Sequence, residues 1–268
     1  GENRYEEVKD GISRLPKQVG YPSDTIDFVP TGGWAGDNLV NRSENMPWYK
    51  GPTLIEALDN FKLPPKPTGK PLRIAIQDVY TIRGVGTTPV GKVETGELRP
   101  GDDIVFMPSG ERGKVNSIET HYNKIDVAGP GDNIGFNTKG VPKDKVKRGE
   151  IAGHPSDLPT VAKAFTGRIF IINHPTAVGE GYTPVLHLHT AQIAVRFDKL
   201  ISKLDPRTGQ TVEENPAYLR TGEAAVVRFV PLQPTAMETF KDYPSLGRFA
   251  LRDMGTTIGA GVVISIEE

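Results

Sequence analysis

Glycine and proline punctuate this chain more often than a helical fold tolerates, and their spacing constrains it more than any other feature. The 268 residues include 30 glycines and 23 prolines. Both interrupt helices, proline through its missing N–H and glycine through the entropy lost on ordering. From Leu72 onward they mark turns such as Arg99-Pro100-Gly101-Asp102 and Gly129-Pro130-Gly131-Asp132. Between the turns lie short alternating segments, Leu72/Ile74/Ile76 and Val115/Ser117/Glu119 among them. Short strands without intervening helices predict a closed antiparallel barrel, because closure removes unpaired edges. A composition break at His154-Pro155-Ser156-Asp157-Leu158-Pro159 is followed by longer predicted strands at 165–172, 192–197, 224–230 and 249–266, the last with a glycine turn. The expected plan is one barrel over 72–154 and a second over 155–268.

The first 61 residues read differently. Tyr5, Val8, Ile12 and Leu15 recur at helical spacing until Gly20 and Pro22. Residues 25–30 alternate as a short strand leading into Thr31-Gly32-Gly33. Thr53 and Glu56 form a capping-box pattern opening a second helix, with Leu54, Leu58 and Phe61 as its apolar stripe. One strand and two helices cannot bury a sheet on both faces, so residues 1–61 are expected to be the tail of an α/β domain. The proline-rich stretch 62–71 is a semi-rigid linker. The fold class is thus mainly β: two consecutive antiparallel barrels after a helix-strand-helix tail.

Composition excludes several functions. With no cysteine there is no disulfide, thiolate metal site or thiol nucleophile, which fits a reducing cytoplasm. A formal net charge of −1 argues against coating nucleic acid by bulk electrostatics, so any RNA contact must be local. No apolar run approaches the roughly 18 residues of a spanning helix, and the amino terminus has no apolar signal region, so no membrane partner is expected.

Four stretches together carry a resemblance. They are Phe28 to Asn38 (FVPTGGWAGDN), Gln77-Asp78-Val79-Tyr80 with Gly84-Val85-Gly86-Thr87, Pro130 to Gly135 (PGDNIG), and Leu246 to Met254 (LGRFALRDM). In order and spacing they resemble elongation factor 1-alpha from the last helices of its GTPase domain through both β-barrels. The short segment Met46 to Thr53, and an ending at Glu268 without a lysine-rich tail, resemble the archaeal branch. The resemblance implies GTP-dependent delivery of aminoacyl-tRNA to the ribosomal A site. It implies as partners aminoacyl-tRNA, the ribosome, a guanine-nucleotide exchange factor, and a class-one release factor or Pelota-like rescue factor. The intact family uses GTP and Mg. The phosphate-binding loop, switches and Asn-Lys-x-Asp motif that such a protein needs are not in these 268 residues, so this chain alone is expected to hold no cofactor and hydrolyse no GTP. Alternatives are a release or ribosome-rescue GTPase, the GTPase-linked subunit of sulfate adenylyltransferase, and a β module that binds only proteins.

The site residues follow from the same resemblance, each beside a plainer local reading. Gly32, Gly33 and Trp34 match the family's last guanine-contact motif, with Gly32 where many relatives have serine; locally they are a tight turn. Asp78, Tyr80, Glu119, His121 and Asn133 resemble the pocket for the aminoacylated 3′ end, where a carboxylate such as Glu119 accepts a ribose hydroxyl. Read locally, Asp78 and Asn133 are turn residues, Tyr80 is core and Glu119 is a solvated carboxylate. Arg248, Arg252, Thr256, Thr257 and Tyr182 are candidates for a tRNA stem, arginine forks suiting phosphate oxygens, or else the arginines are solvated or paired. Lys143, Lys145, Lys147 and Arg148 form a charge run, usually a solvated loop. His187 and His189 sit two apart, as on one strand face, without an evident third metal ligand, and no nucleophile–base–orienter set supports covalent catalysis.

Overall fold

The computed structural model describes residues 1–18, 26–62 and 65–268. It divides into two compact units, Gly1–Pro65 and Lys66–Glu268. In the first, helix α1 spans Glu2–Gln18. Tyr5 anchors it: its hydroxyl donates to the Phe28 carbonyl at 2.9 Å, and its ring lies 5.3 Å from Trp48 and 5.9 Å from Tyr49. Val8 and Ile12 are exposed. The side chain of Leu15, the expected stop at Gly20 and Pro22, and Thr25 lie outside the described residues. The strand expected at 25–30 does not form over 26–30; only an isolated bridge joins Gly32 to Asp37. A strand exists through a neighbour's hydrogen bonds, and none of the described residues of this unit supplies one.

Asn38 organises the loop that follows. It is buried at φ 53°, its Nδ2 donates to the Pro30 carbonyl at 2.9 Å and its Oδ1 accepts the Ser43 amide at 2.8 Å. Helix α2, Leu54–Asp59, has the predicted capping box: Thr53 Oγ1 accepts the Glu56 amide at 3.3 Å, and Glu56 Oε2 accepts the Thr53 amide at 2.8 Å. The stripe Leu54, Leu58 and Phe61 is exposed, and only Ala57 of the helix is buried. The stripe was expected to pack; no described residue of this unit covers it.

The second unit contains both barrels. The first is built from β1 (Arg73–Ile82), β2 (Gly86–Thr95), β3 (Asp103–Met107), β4 (Arg112–Thr120), β5 (Asn123–Ile125), β6 (Asn133–Lys139) and β7 (Ile151–Gly153). Their order is β3-β7-β1-β2-β6-β4-β5, and pairing of β3 with β4 closes six of them into a ring. The two Pro-Gly-Asp turns are alike. Gly101 and Gly131 take φ 96° and 97°, which glycine adopts at no steric cost, and Asp102 and Asp132 each accept the first amide of their turn at 2.8 Å. An isolated bridge between Leu98 and Ala128 ties the two turns together. Inside lie Ile74, Ile76, Phe106, Ile118, Ile134 and Phe136.

The second barrel uses β8 (Val161–Ala162), β9 (Ala164–Ile171), β10 (Val185–Leu188), β11 (Ala191–Leu204), β12 (Thr211–Glu214), β13 (Ala224–Pro231), β14 (Thr235–Ala236), β15 (Arg248–Asp253) and β16 (Thr256–Glu267). The main sheet runs β10-β15-β16-β9-β13-β11-β12 and closes through β10 and β11, while β8 and β14 pair separately. Four phenylalanines fill it. Phe229 lies 5.0, 4.8 and 5.8 Å from Phe165, Phe197 and Phe249. Gly167 makes room, since a Cβ there would stand 3.0 Å from the Phe249 ring.

The barrels meet over β1, and the contact is visible as a broken alternation. Arg73, Ile74, Ala75 and Ile76 are all buried, because the outward pair Arg73 and Ala75 is covered by the second barrel. Ala75 joins Ile151, Ala236 and Leu246 in an apolar seam with Tyr243 against it. Arg73 reaches across to two carboxylates, with Nε 2.6 Å from Glu238 and Nη2 2.6 Å from Asp157, while its guanidinium lies 5.1 Å from the Tyr243 ring centre. Its side chain is 3% exposed and that of Glu238 is 7% exposed. Nearby, Thr190 Oγ1 donates to the Ile76 carbonyl at 2.7 Å. His189 shares this seam, its Nε2 3.0 Å from the Ala236 carbonyl and its Nδ1 accepting the Thr190 amide at 2.7 Å. That arrangement suits a neutral ring only, and burial pushes its pKa down to about 4 against the weaker opposite pull of the Ala236 carbonyl and Glu94.

Two outcomes are expected. Arg73→Ala leaves Glu238 buried without its partner and should destabilise the chain by about 3–5 kcal/mol in denaturant unfolding, whereas Arg73→Met with Glu238→Leu should recover most of that loss. His189 is neutral in the fold down to pH about 4, whereas an unfolded histidine takes its proton near 6.5. Its contribution is therefore complete above about pH 6.5 and lost as pH falls through the folded value. Relative to His189→Gln, the wild-type chain should lose about 1–3 kcal/mol between pH 7 and 4.

Candidate nucleic-acid interface

Register brings the first group of candidate residues onto one outward face. Asp78 of β1 pairs with Val90 of β2, Val90 with Gly135 of β6, and Gly135 with Glu119 of β4. Directly opposed residues of an antiparallel sheet share a face, so Asp78 and Glu119 flank one row, three strand spacings or about 14 Å apart. Between them lie Val90 and Gly135, and a Cβ at Gly135 would stand 3.6 Å from the Thr88 methyl and 3.8 Å from a Val90 methyl. Asn133 lies two residues before Gly135 and Tyr80 two after Asp78, each on the same face by alternation. Tyr80 is 50% exposed, which removes the reading of it as a core residue. A bulge between Val115 and Ser117 turns Glu119 outward while Val115 and Ile118 stay in the core, so the simple alternation Val115/Ser117/Glu119 does not hold.

The charges on this face are prepared in different ways. The Val79 amide, 2.7 Å from Oδ1, and then the neighbouring Tyr80 hydroxyl hold the Asp78 carboxyl below its ordinary range. The same contact with Asp78 raises the Tyr80 phenol. His121 leaves the strand at φ 48° and forms the β4–β5 turn. Thr120, which the sequence reading passed over, links the group: its hydroxyl donates to the Asn133 carbonyl at 2.9 Å and lies 3.1 Å from His121 Nδ1. Its only sequence signal is its place between Glu119 and His121.

On the second barrel four of the five candidates, all but Arg248, gather at one end of the β15–β16 hairpin. Arg252 is opposite Thr257, and Asp253 opposite Thr256. Arg252 Nη2 donates to the Gly255 carbonyl at 2.6 Å. Tyr182 joins them through Asp253, to which its hydroxyl donates at 2.8 Å; burial and then that bond raise the phenol well above its ordinary range. Asp253, another residue missed from sequence, thus occupies the Tyr182 hydroxyl. Arg248 stands four residues from Arg252, about 13 Å along the strand, with its guanidinium 5.0 Å from the Phe240 ring centre.

The remaining candidates separate. In the first unit Trp34 is fully exposed, and a Cβ at Gly32 would collide with the Asp37 carboxylate. Lys143 and Lys145 lie in a single helical turn, and Arg148 Nε donates to the Thr190 carbonyl at 3.2 Å. His187 and His189 do not share a strand face as their spacing suggests, because His189 turns out of β10 at φ 43°. Among the described residues no three His, Asp or Glu side chains are arranged to hold a metal.

Comparison with known proteins adds to this geometry. The family model described as "Elongation factor Tu domain 2" matches residues 86–153, and "GTP-eEF1A C-terminal domain-like" matches residues 164–264. The chain is 57% identical to "Elongation factor 1-alpha" of Staphylothermus marinus over 266 residues, covering 99% of this chain and 61% of that protein. It is 58% identical to the protein of that name from Methanocaldococcus jannaschii, covering 99% of this chain and 62% of the relative. The chain belongs to the elongation factor 1-alpha family. A solved structure of Sup35 complexed with GMPPNP superposes on the whole chain with TM-score 0.72 at 30% identity, the chain covering 66% of it. Within the elongation factor 1-alpha family, then, this chain spans about 61% of the length of the relatives it matches.

The Tyr182–Asp253 bond generates a prediction of its own. Tyr182→Phe keeps the ring contacts with His174 and Phe197 but removes the donor to a carboxylate. It should lower unfolding stability by about 1.5–3 kcal/mol, the range for hydrogen bonds to charged groups.

Proposed function

We propose that this chain provides the tRNA grip of a GTP-dependent translation elongation factor that brings aminoacyl-tRNA to the ribosome. The observation that carries the reading is the row from Asp78 to Glu119, occurring in a chain so close to proteins named elongation factor 1-alpha. In this reading residues 72–154 receive the aminoacylated 3′ end and residues 155–268 receive the stem and protein partners. Residues 1–61 close the GTPase domain and 62–71 form the linker. Gly32, Gly33 and Trp34 then face the guanine. GTP and magnesium belong to the intact protein, as do an exchange factor and release or rescue factors as partners. No metal-ligand set occurs among the described residues.

The chemistry follows from the row. Glu119 accepts the terminal ribose hydroxyl, a group that identifies RNA. Asp78, ionised because its carboxyl is stabilised by the Val79 amide and Tyr80, faces the ammonium of the esterified amino acid. Asn133 offers a neutral amide to the ester carbonyl, and Tyr80 flanks the side chain. The grip thus rests on groups common to all charged tRNAs and accepts many amino acids. Arg252 and Arg248 meet stem phosphates.

The test uses this chain joined to its GTPase domain in the GTP state. Glu119→Ala should weaken charged-tRNA binding by about 1.5–3 kcal/mol. Replacing the terminal 2′-hydroxyl by hydrogen, with the amino acid held on the 3′ position, should cost a similar amount. The two losses should not add, since both remove one contact, and salt dependence should stay the same because no phosphate contact is lost. Full additivity would remove Glu119 from the ribose and overturn the assignment.

A further inference from the structure

With no cysteine in the chain, thiol chemistry is absent and oxidation by peroxide falls to methionine. The fold treats the four methionines unequally. Met237 is fully buried, Met107 is half-buried against the apolar seam, and Met46 is half-buried with its Sδ accepting from Asn38 Nδ2 at 3.4 Å. Met254 is 98% exposed, its thioether open to water. A dissolved oxidant reaches exposed sulfur first, so these four side chains differ in susceptibility.

The backbone sets Met254 apart as well. Asp253 pairs with Thr256, leaving Met254 and Gly255 as the two central residues of the β15–β16 hairpin, at φ 46° and 77°. Glycine suits such a turn and asparagine is its usual first residue, whereas methionine enters the left-handed region against its own Cβ sterics. Packing does not offset that strain, because the side chain has almost no neighbour to touch. The tip thus carries a thioether into water at the end of the barrel where hydrogen-bond donors gather. Arg252 Nη2 reaches the Gly255 carbonyl at 2.6 Å, and Thr256 and Thr257 are exposed in the strand that follows.

We infer that Met254 is a reversible oxidation site, and that its sulfoxide weakens the hold of this end of the second barrel on RNA. In the forward step the Sδ lone pair attacks one oxygen of hydrogen peroxide. The O–O bond breaks, an S–O bond forms, and the other oxygen leaves as water with both protons; sulfur loses two electrons and the peroxide gains them. A thiol-dependent sulfoxide reductase reverses the step, releasing the oxygen as water while two thiols join as a disulfide. The effect on RNA rests on the assignment of Arg252, Thr256 and Thr257 to the stem. A thioether is nearly neutral toward a phosphate, but a sulfoxide oxygen carries partial negative charge and only accepts hydrogen bonds. It repels phosphate oxygens and competes with them for the same donors.

The test begins with this chain treated with millimolar hydrogen peroxide. It should gain one oxygen by intact mass, and peptide mapping should place that oxygen at Met254 before Met46, Met107 or Met237. The unfolding midpoint should not move, because Met254 has almost no contact to lose. In the chain joined to its GTPase domain in the GTP state, oxidation should weaken charged-tRNA binding about tenfold, the low end for a lost hydrogen bond to a charged group. Methionine sulfoxide reductase should restore it. Met254→Leu keeps an apolar side chain that takes no oxygen, and its affinity should be the same before and after peroxide. Oxygen appearing first at another methionine, a fall in the midpoint, or an equal loss of affinity in Met254→Leu overturns the inference. If Met254 is oxidised first without loss of affinity while Arg252→Ala weakens binding, the switch falls and the stem assignment stands. If Arg252→Ala is silent as well, the switch and that assignment fall together.

Discussion

Arg73 is the residue on which the arrangement of the second unit turns. A guanidinium that is 3% exposed would be prohibitive alone, and it is compatible with the fold only because Glu238 and Asp157 arrive from the other barrel. As a stabiliser such a pair is weak, since desolvation consumes much of its attraction. As a specifier it is strong: an apolar seam of Ala75, Ile151, Ala236 and Leu246 could slide, but a fork with two carboxylates admits one register. Sliding one barrel on the other strands a buried charge. The outward row on β1 and the β15–β16 hairpin are thereby carried on one body.

This junction also explains where the sequence was legible and where it was not. The two barrels were readable because Pro-Gly-Asp turns and short alternating segments depend on local backbone chemistry, as Gly101 and Gly131 confirm through matching φ values. The capping box at Thr53 is likewise a contact within one turn. Alternation failed where a second body touches the sheet. Leu72-Arg73-Ile74-Ala75-Ile76 looks half-buried with an outward arginine, yet its outward side is covered. The arginine set between apolar residues was the available signal of a buried partner. In the first unit the errors run the other way: residues 26–30 and the stripe on α2 have the pattern of buried elements but lack a described neighbour.

The candidate site was legible as a list of residues and not as a surface. Asp78, Glu119 and Asn133 could be nominated individually, but their common face depends on strand register. Bulges between Ile76 and Asp78 and between Val115 and Ser117 set that register. A bulge shifts every following side chain by one face, and nothing in the local composition of Asn116 or Gln77 announces it. Thr120 and Asp253 were missed for a related reason. Each acts by holding another candidate, His121 or Tyr182, and a hydrogen-bonded support has no spacing to detect.

Which arginines remain available to phosphate is the point at which structure adds most to composition. With a net charge of −1, a local positive site depends on cations that are not already neutralised. Arg228 is held by both Asp198 and Glu267, and Arg73 by Asp157 and Glu238; neither has charge to spare. Arg252 is different: its recorded partner is the neutral Gly255 carbonyl, while the adjacent carboxylate of Asp253 accepts from the Tyr182 hydroxyl. Tyr182, nominated from the resemblance beside the same surface, occupies the acid next to Arg252. Arg248 rests on the face of Phe240, which orients a guanidinium without cancelling its charge. The two arginines nominated from the resemblance are thus positioned by neutral groups, whereas those with structural duties are matched by carboxylates. Side-chain partners, rather than a count of Lys and Arg, decide where an almost neutral protein has a positive surface to offer.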